Sequence, residues 1–454
     1  MTTSNTAGPE VTNWFGDLIS HPKVIVDIHS VDDIIAVLKN PAKYPSPVRA
    51  VGSNHSTAPC GVADHGTLLR MKMNRILRID AETITAEAGA RHIDMARELL
   101  RHNLQFYVNT EIGSLTAGSA AIAGTKDASF PGEYGQVGSY IIGIKMVLPN
   151  GDLLEVTDDQ PELMQKVRSS YGTFGVVYEV TYRIRPLIPM AVHHETFSLA
   201  EFTAKLDELK ARGESIFYYF SPFADRITVE FRRHNPNSSG SPNRSAWALR
   251  NFLWGTAGPR LGHDIEASIP IPKIRYALID GLNAMLRFTF KHLVRSDHTL
   301  APDQIVAYPD VSNRNRYTFS LFAFPEPEFP KIFSEFFKFV LDYYDRTGYR
   351  SNLLYVGYRI EQDQKSLLSY SYNSNVMTID PVSTANPGWQ TFLEAYNQFC
   401  SDRSGTPLLN QTYGLTRPIV QKAFGERLEM FATARRQFDP GDRLLSEYFR
   451  MLLG

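Results

Sequence analysis

Cysteine is nearly absent. Cys60 and Cys400, the two in 454 residues, make neither a disulfide framework nor a metal-ligand cluster, and that fits a reducing, cytoplasmic setting. The Asn-x-Ser/Thr triplets at Asn237, Asn243 and Asn410 then carry no weight as glycosylation sites. No apolar run reaches the ~20 residues that a membrane-spanning helix needs, and Met1 to Glu10 is polar where a signal peptide would be apolar. Charge of either sign is not in excess: 47 Lys and Arg face 48 Asp and Glu, a formal net charge of −1, which gives no electrostatic case for a nucleic-acid partner. Several enzyme signatures are missing as well. There is no Walker loop, no His-Glu-x-x-His and no Gly-x-Ser-x-Gly. Gly132-x-x-Gly135-x-x-Gly138 has the wrong spacing for a dinucleotide-binding turn and no apolar strand before it.

What is present is an ordinary globular composition, 43% hydrophobic and 21% charged, in a chain long enough for two or three domains. Val24 to Asp27 reads as a strand and Ser30 to Leu38 as a helix capped by Ser30, with Asp33 at the capping-box position. Val48 to Val51, Leu68 to Met71, Ile76 to Ile79 and Thr83 to Ala88 read as short strands, and Arg91 to His102 has helical spacing. Asn150-Gly151 suits a type I′ turn between Ile142–Leu148 and Leu153–Val156, and Tyr178 to Ile184 alternates strictly up to Pro186. This predicts an α+β domain ending near Pro186. Beyond it, Ile216 to Phe220 and Ile227 to Phe231 predict a hairpin. Trp247 to Leu293 predicts helices interrupted at Pro259, Pro270 and Pro272. Tyr317 to Ile360 predicts a β-α-β unit in a sheet with helices on one face, and Arg417 to Leu453 predicts helices broken at Asp439-Pro440-Gly441. The aromatic residues of Phe217–Phe220 and Phe333–Phe339 read as core.

The most informative segment is Arg49-Ala50-Val51-Gly52-Ser53-Asn54-His55-Ser56. A strand enters a turn in which Gly allows close backbone approach while Ser and Asn add donors, so its N–H groups can converge on one anion. His55 there can serve as a base, a ligand or a nucleophile toward a bound cofactor, or be incidental to a capped turn. A second stretch, Gly113 to Gly143, holds seven glycines among Ala, Ser and Thr, a composition for tight backbone approach or for close helix packing.

Arg49–Ser56, Leu115–Thr125 and Tyr171–Val177, in that order and spacing, resemble the FAD-binding domain of the vanillyl-alcohol oxidase superfamily, and within it the aldonolactone and alditol oxidases. Tyr219–Asp225, Phe438–Arg443 and Glu447–Phe449 extend the resemblance to residues 20–454. It implies an N-terminal tail (1–20), a two-subdomain PCMH-type FAD-binding domain (21–187), a substrate-binding cap with an antiparallel sheet flanked by helices (188–416), and C-terminal helices packing back near the FAD domain (417–454). It also implies that Ala50 to Ser56, Ala117, Ala121, Gly124, Thr125, Lys126, Asp127, Gly175, Val176 and Val177 hold FAD. His55 would be joined covalently to the flavin, with Cys60 an ordinary buried thiol.

Hydride removal from a CH–OH group to flavin N5 is the implied reaction, with oxygen or another acceptor reoxidising the flavin and a sugar lactone, polyol or related metabolite as substrate. In the substrate site the relatives use a Glu-x-Arg strand, a His and a C-terminal Lys. Here Arg359 keeps the arginine, Gly357 stands at the glutamate, Asp380 near the histidine, and Asn410 or Gln411 at the lysine. Thr116 replaces a serine and Lys126 a histidine beside the flavin. The candidate catalytic residues are therefore Arg359, Thr116, Lys126, Asp380 and Gln411, with Tyr413 a proton relay if its segment lines the site. The losses leave alternatives: a biosynthetic oxidase or dehydrogenase for a larger, less polar metabolite, a flavin-binding protein without turnover, or a membrane-surface protein that uses Trp247–Arg260.

Overall fold

A computed structural model of the chain describes residues 9–308 and 314–454. Its first sheet is parallel: Val48–Val51 and Val24–Ile28 flank Thr67–Met71. Helix Val31–Leu38 starts as predicted, Ser30 Oγ accepting from Asp33 N–H and the Asp33 carboxylate from Ser30 N–H. The second sheet is antiparallel, in the order Leu153–Thr157, Ile141–Val147, Val176–Pro186, Thr83–Glu87, Ile76–Ile79, with Leu104–Phe106 on the far end of Val176–Pro186. Its first hairpin differs from the sequence reading. The Gly151 N–H donates to Leu148 O, and φ is positive at Gly151 but not at Asn150. Pro149, with φ fixed near −65°, imposes a type I turn, and Gly151 becomes the left-handed residue after it.

From Pro186 the chain passes to Met190–Phe197, a strand of an eight-stranded antiparallel sheet. Strand Ser215–Ser221 is buried along its whole length. Tyr218 and Phe220 pack with Phe333 and Phe337 of helix Phe329–Thr347, while Phe217 and Tyr219 pack with Trp247, Trp254 and Phe290 on the opposite side. Helices therefore cover both faces, not the one face that was expected. The run Ile216-Phe217-Tyr218-Tyr219-Phe220 is the reason, since a strand apolar on both faces must be covered on both. Phe322–Pro325, helix Phe329–Thr347 and Tyr355–Ile360 form the expected crossover, with Val376–Ile379 inserted antiparallel between the two strands. Pro259 does not end the helical run, but the α pattern breaks there: a π-helical turn, Leu253–Ala257, joins Arg244–Phe252 to Gly258–Ser268, and Pro259 lies in the first turn of the latter.

The C-terminal helices Arg417–Phe424, Glu426–Phe438 and Glu447–Leu453 return to the first sheet. The Arg443 side chain donates to Val37 O and Leu38 O, and its own carbonyl accepts from Val48 N–H. The buried Arg49 guanidinium joins the same parts, donating to the carbonyls of Cys60, Tyr171, Gly172 and Leu444. Burial pulls it down to about 10, still charged at neutral pH. Arg49→Leu leaves four carbonyls without their donor, at about 1–3 kcal/mol for each one that water cannot reach. We expect it to lower unfolding stability in urea by at least about 3 kcal/mol. A loss below 1 kcal/mol would remove this clamp from the account.

Candidate active site

Strand Val48–Val51 runs into a cavity of about 1000 Å³ lined by Arg49 to Ser56 on one side and by Leu115, Thr116, Ser119, Thr125, Gly172, Gly175 and Val177 on others. Asn54 has φ +53°, in the left-handed region that Asn and Gly tolerate best, which accounts for an asparagine directly before the histidine. Among the described residues, the backbone N–H groups of Gly52, Ser53, Asn54, His55 and Ser56 donate to no protein acceptor. Five consecutive free amides at a cavity wall form a cradle for an anion. Gly52 is there because nothing larger fits: a Cβ would lie 2.0 Å from Thr116 Oγ1. The Ser53 hydroxyl holds the turn by donating to Ser114 O.

His55 is fixed on two sides. Its Nε2 shares a 2.6 Å hydrogen bond with Ser114 Oγ, and its ring stacks on Trp14 at 4.9 Å between centroids. Burial lowers its pKa to about 4, so the imidazole is neutral at physiological pH. Trp14 and Ser114 were not singled out in the sequence. Residues 11–20, read as a tail, instead form a short pairing of Val11–Thr12 with Ile19–Ser20, held to the turn by Asn54 Nδ2 donating to Thr12 O. Residues 1–8 of that tail lie outside the described residues. Cys60 is buried and lines the same cavity, its thiol pushed up to about 12 by burial.

A second cavity, of about 530 Å³, adjoins the first, and Leu115, Thr125 and Gln411 line both. On its wall the Lys126 ammonium lies 3.2 Å from Asp380 Oδ2 and 3.7 Å from the centre of the Tyr358 ring. Both side chains are buried. Burial raises the Asp380 carboxyl to about 6 against the pull of Lys126. Trp254, Tyr317, Phe319 and Tyr358 form an aromatic wall, and Glu111, paired with Arg250 at 2.6 Å, adds a carboxylate that sequence reasoning missed.

Not every predicted residue reaches these cavities. Arg359 does not: its guanidinium is held by Glu326 and Glu361, each at 2.7 Å, on the far side of its strand. Strand alternation explains this, because the neighbouring Tyr358 takes the cavity side. Gly357 cannot be a glutamate here, since a Cβ would sit 2.2 Å from the Tyr218 ring and 2.4 Å from Thr378 O. Thr116 lines the first cavity, not the second, and shares a hydrogen bond with Ser119. Asp127 turns away to Arg232 at 2.8 Å. Ala117, Ala121 and Val176 are packed in the core, and Gly124, at φ +63°, turns the chain toward Thr125. Tyr413 lines neither cavity, and its carbonyl accepts from Asn397. Trp247 and Trp254 are buried, not offered to solvent, and Arg250 is held by Glu111 and the Tyr219 hydroxyl.

The donor set of the first cavity fits a dinucleotide. Its free amides suit a pyrophosphate, and small residues around Gly52, Ser119 and Gly175 leave room for rings. The sequence profile of the FAD binding domain family matches residues 22–157. Over 450 residues the chain is 22% identical to an L-gulono-1,4-lactone dehydrogenase of Mycobacterium tuberculosis, covering 98% of this chain and 99% of that protein. An L-gulonolactone oxidase of Bos taurus is 25% identical over 254 residues, 55% of this chain and 56% of the oxidase. Among solved structures, a cholesterol oxidase from B. sterolicum superposes with a TM-score of 0.79 at 15% identity, covering 98% of this chain and 96% of that one. Cavity, profile and full-length similarity agree on an FAD-linked oxidoreductase whose residues 22–157 match the FAD binding domain family.

Proposed function

We propose that the protein oxidises a CH–OH group of a small polar molecule, a sugar lactone or polyol, and that its site lies where the two cavities meet. The observation that carries this reading is the buried Lys126–Asp380 pair in the cavity adjoining the anion-binding turn, with Gln411 lining both spaces. FAD supplies the hydride acceptor. Residues 52–56 hold its pyrophosphate, residues 21–187 form the domain that carries it, and residues 188–416 cover the substrate. His55 would be the residue that tethers the cofactor, and with Ser114 on Nε2 the Nδ1 of the neutral imidazole would be the nitrogen available to it. Asp380, ionised above about pH 6, takes the hydroxyl proton, Lys126 steadies the carboxylate, and the Gln411 amide orients the substrate oxygen.

A second reading, a larger and less polar alcohol, is favoured by the aromatic wall of Trp254, Tyr317, Phe319 and Tyr358. Turnover assays separate the two. A panel of aldonolactones, alditols and apolar alcohols is assayed once with oxygen, detecting hydrogen peroxide, and once with dichlorophenolindophenol as acceptor. We expect turnover with at least one lactone or alditol. Activity confined to the apolar alcohols would select the second reading, and no activity with either acceptor would leave a binding protein.

A further inference from the structure

Helix Pro272–Leu293 carries two apolar stripes on opposite sides. Tyr276, Ile279, Leu286 and Phe290 recur at helical spacing and are buried against the protein. Ile274, Leu278, Met285 and Phe288 recur at the same spacing on the other side and are 49%, 45%, 44% and 66% exposed. The helices packed beside it expose Leu249, Phe252 and Leu261 as well. A soluble helix ordinarily has one apolar stripe, so the second is a face that something else covers.

Charge identifies what covers it. Residues 244–297 hold eight Lys and Arg against four Asp and Glu, in a chain whose formal net charge is −1. Lys273, Lys291 and Arg295 form no ion pair among the described residues. At the end of the helix Lys291, His292 and Arg295 share an open groove with Asp297, with Arg212, which pairs with Glu195, and with Arg233, which pairs with Glu214. A second copy of the chain, related by a two-fold axis, would bring these basic rims together. Apolar side chains flanked by basic ones match a bilayer surface that carries anionic headgroups. No helix of the described residues is long and apolar enough to cross a membrane, so the helix would lie in the plane of the interface.

We propose that this face docks on an anionic lipid bilayer, with Ile274, Leu278, Met285 and Phe288 entering the headgroup–acyl boundary and the basic groove taking lipid phosphates. The test is co-sedimentation of the FAD-loaded protein with vesicles of equal parts phosphatidylcholine and phosphatidylserine. We expect binding to these vesicles, weaker binding to pure phosphatidylcholine, and weakening by salt. The combined variant Ile274→Ser, Leu278→Ser, Phe288→Ser should bind about tenfold or more weakly while keeping its flavin and its melting temperature. Lys291→Glu with Arg295→Glu should abolish the preference for phosphatidylserine with the apolar face intact. Three results would overturn the proposal: no sedimentation of the native protein, unchanged binding by the serine variant, or a dimer in solution that the serine variant dissociates.

Discussion

Acid precipitation of the His55→Ala protein should give a colourless pellet, and that of the native protein a yellow one. The native imidazole is neutral, because burial holds its pKa near 4, and Ser114 together with Trp14 fixes its plane and leaves Nδ1 open. A neutral, preoriented nitrogen is the form needed to bond to the cofactor. The expected change is from all of the flavin acid-stable to none of it. Non-covalent FAD should survive in part, because the free amides of residues 52–56 do not depend on the ring. Acid-stable flavin in His55→Ala would move the tether elsewhere, and Cys60, on the same cavity wall, would be the next residue to test. Ser114→Ala should slow flavinylation without preventing it.

The second large effect is expected at Asp380. Asp380→Asn keeps shape and removes the charge, and it should slow substrate reduction of the flavin about 10²- to 10⁴-fold while flavin content stays native. The pH dependence follows from the same group. Its carboxyl titrates near 6 in the fold, so the reduction rate should rise with pH through about 6 and then level off, and Asp380→Asn should lose that limb. Stability should move in the opposite sense. The folded value, about 6, lies above the ordinary carboxyl value of 3.8, so the fold binds this proton more tightly than the unfolded chain does. The group's favourable contribution is full below pH 3.8 and is lost as pH rises through 6. Near-native reduction by Asp380→Asn would remove Asp380 as the base and leave Lys126 and Glu111 as the candidates on that wall.

The turn that lines the first cavity was legible in the sequence because backbone conformation carries it. Gly52, Asn54 and the small residues after Leu115 are where they are for steric reasons, and steric demands leave a local residue signature. The capping box at Ser30 and the hairpin at Ser221–Asp225 were legible for the same reason. The second cavity is assembled across long sequence separations, Lys126 with Asp380 and Glu111 with Arg250, and no local pattern announces such pairs. Arg359 shows the cost of reading by analogy. Its residue type was kept, but strand alternation and two glutamates point it away from the cavity. Gly357 shows the converse, since the missing glutamate is forced by the Tyr218 ring behind it. Trp14 was missed because the Trp14-Phe15 pair, ahead of the first predicted strand, has no period to betray it.

The central claim is that the chain uses its flavin to oxidise an alcohol carbon held between the two cavities. It is tested most directly by mixing the purified flavoprotein with each aldonolactone and alditol under strictly anaerobic conditions and recording the flavin spectrum. At least one of them should bleach the flavin fully, at a rate that rises through about pH 6. A flavin that stays oxidised with every lactone, alditol and apolar alcohol would contradict it.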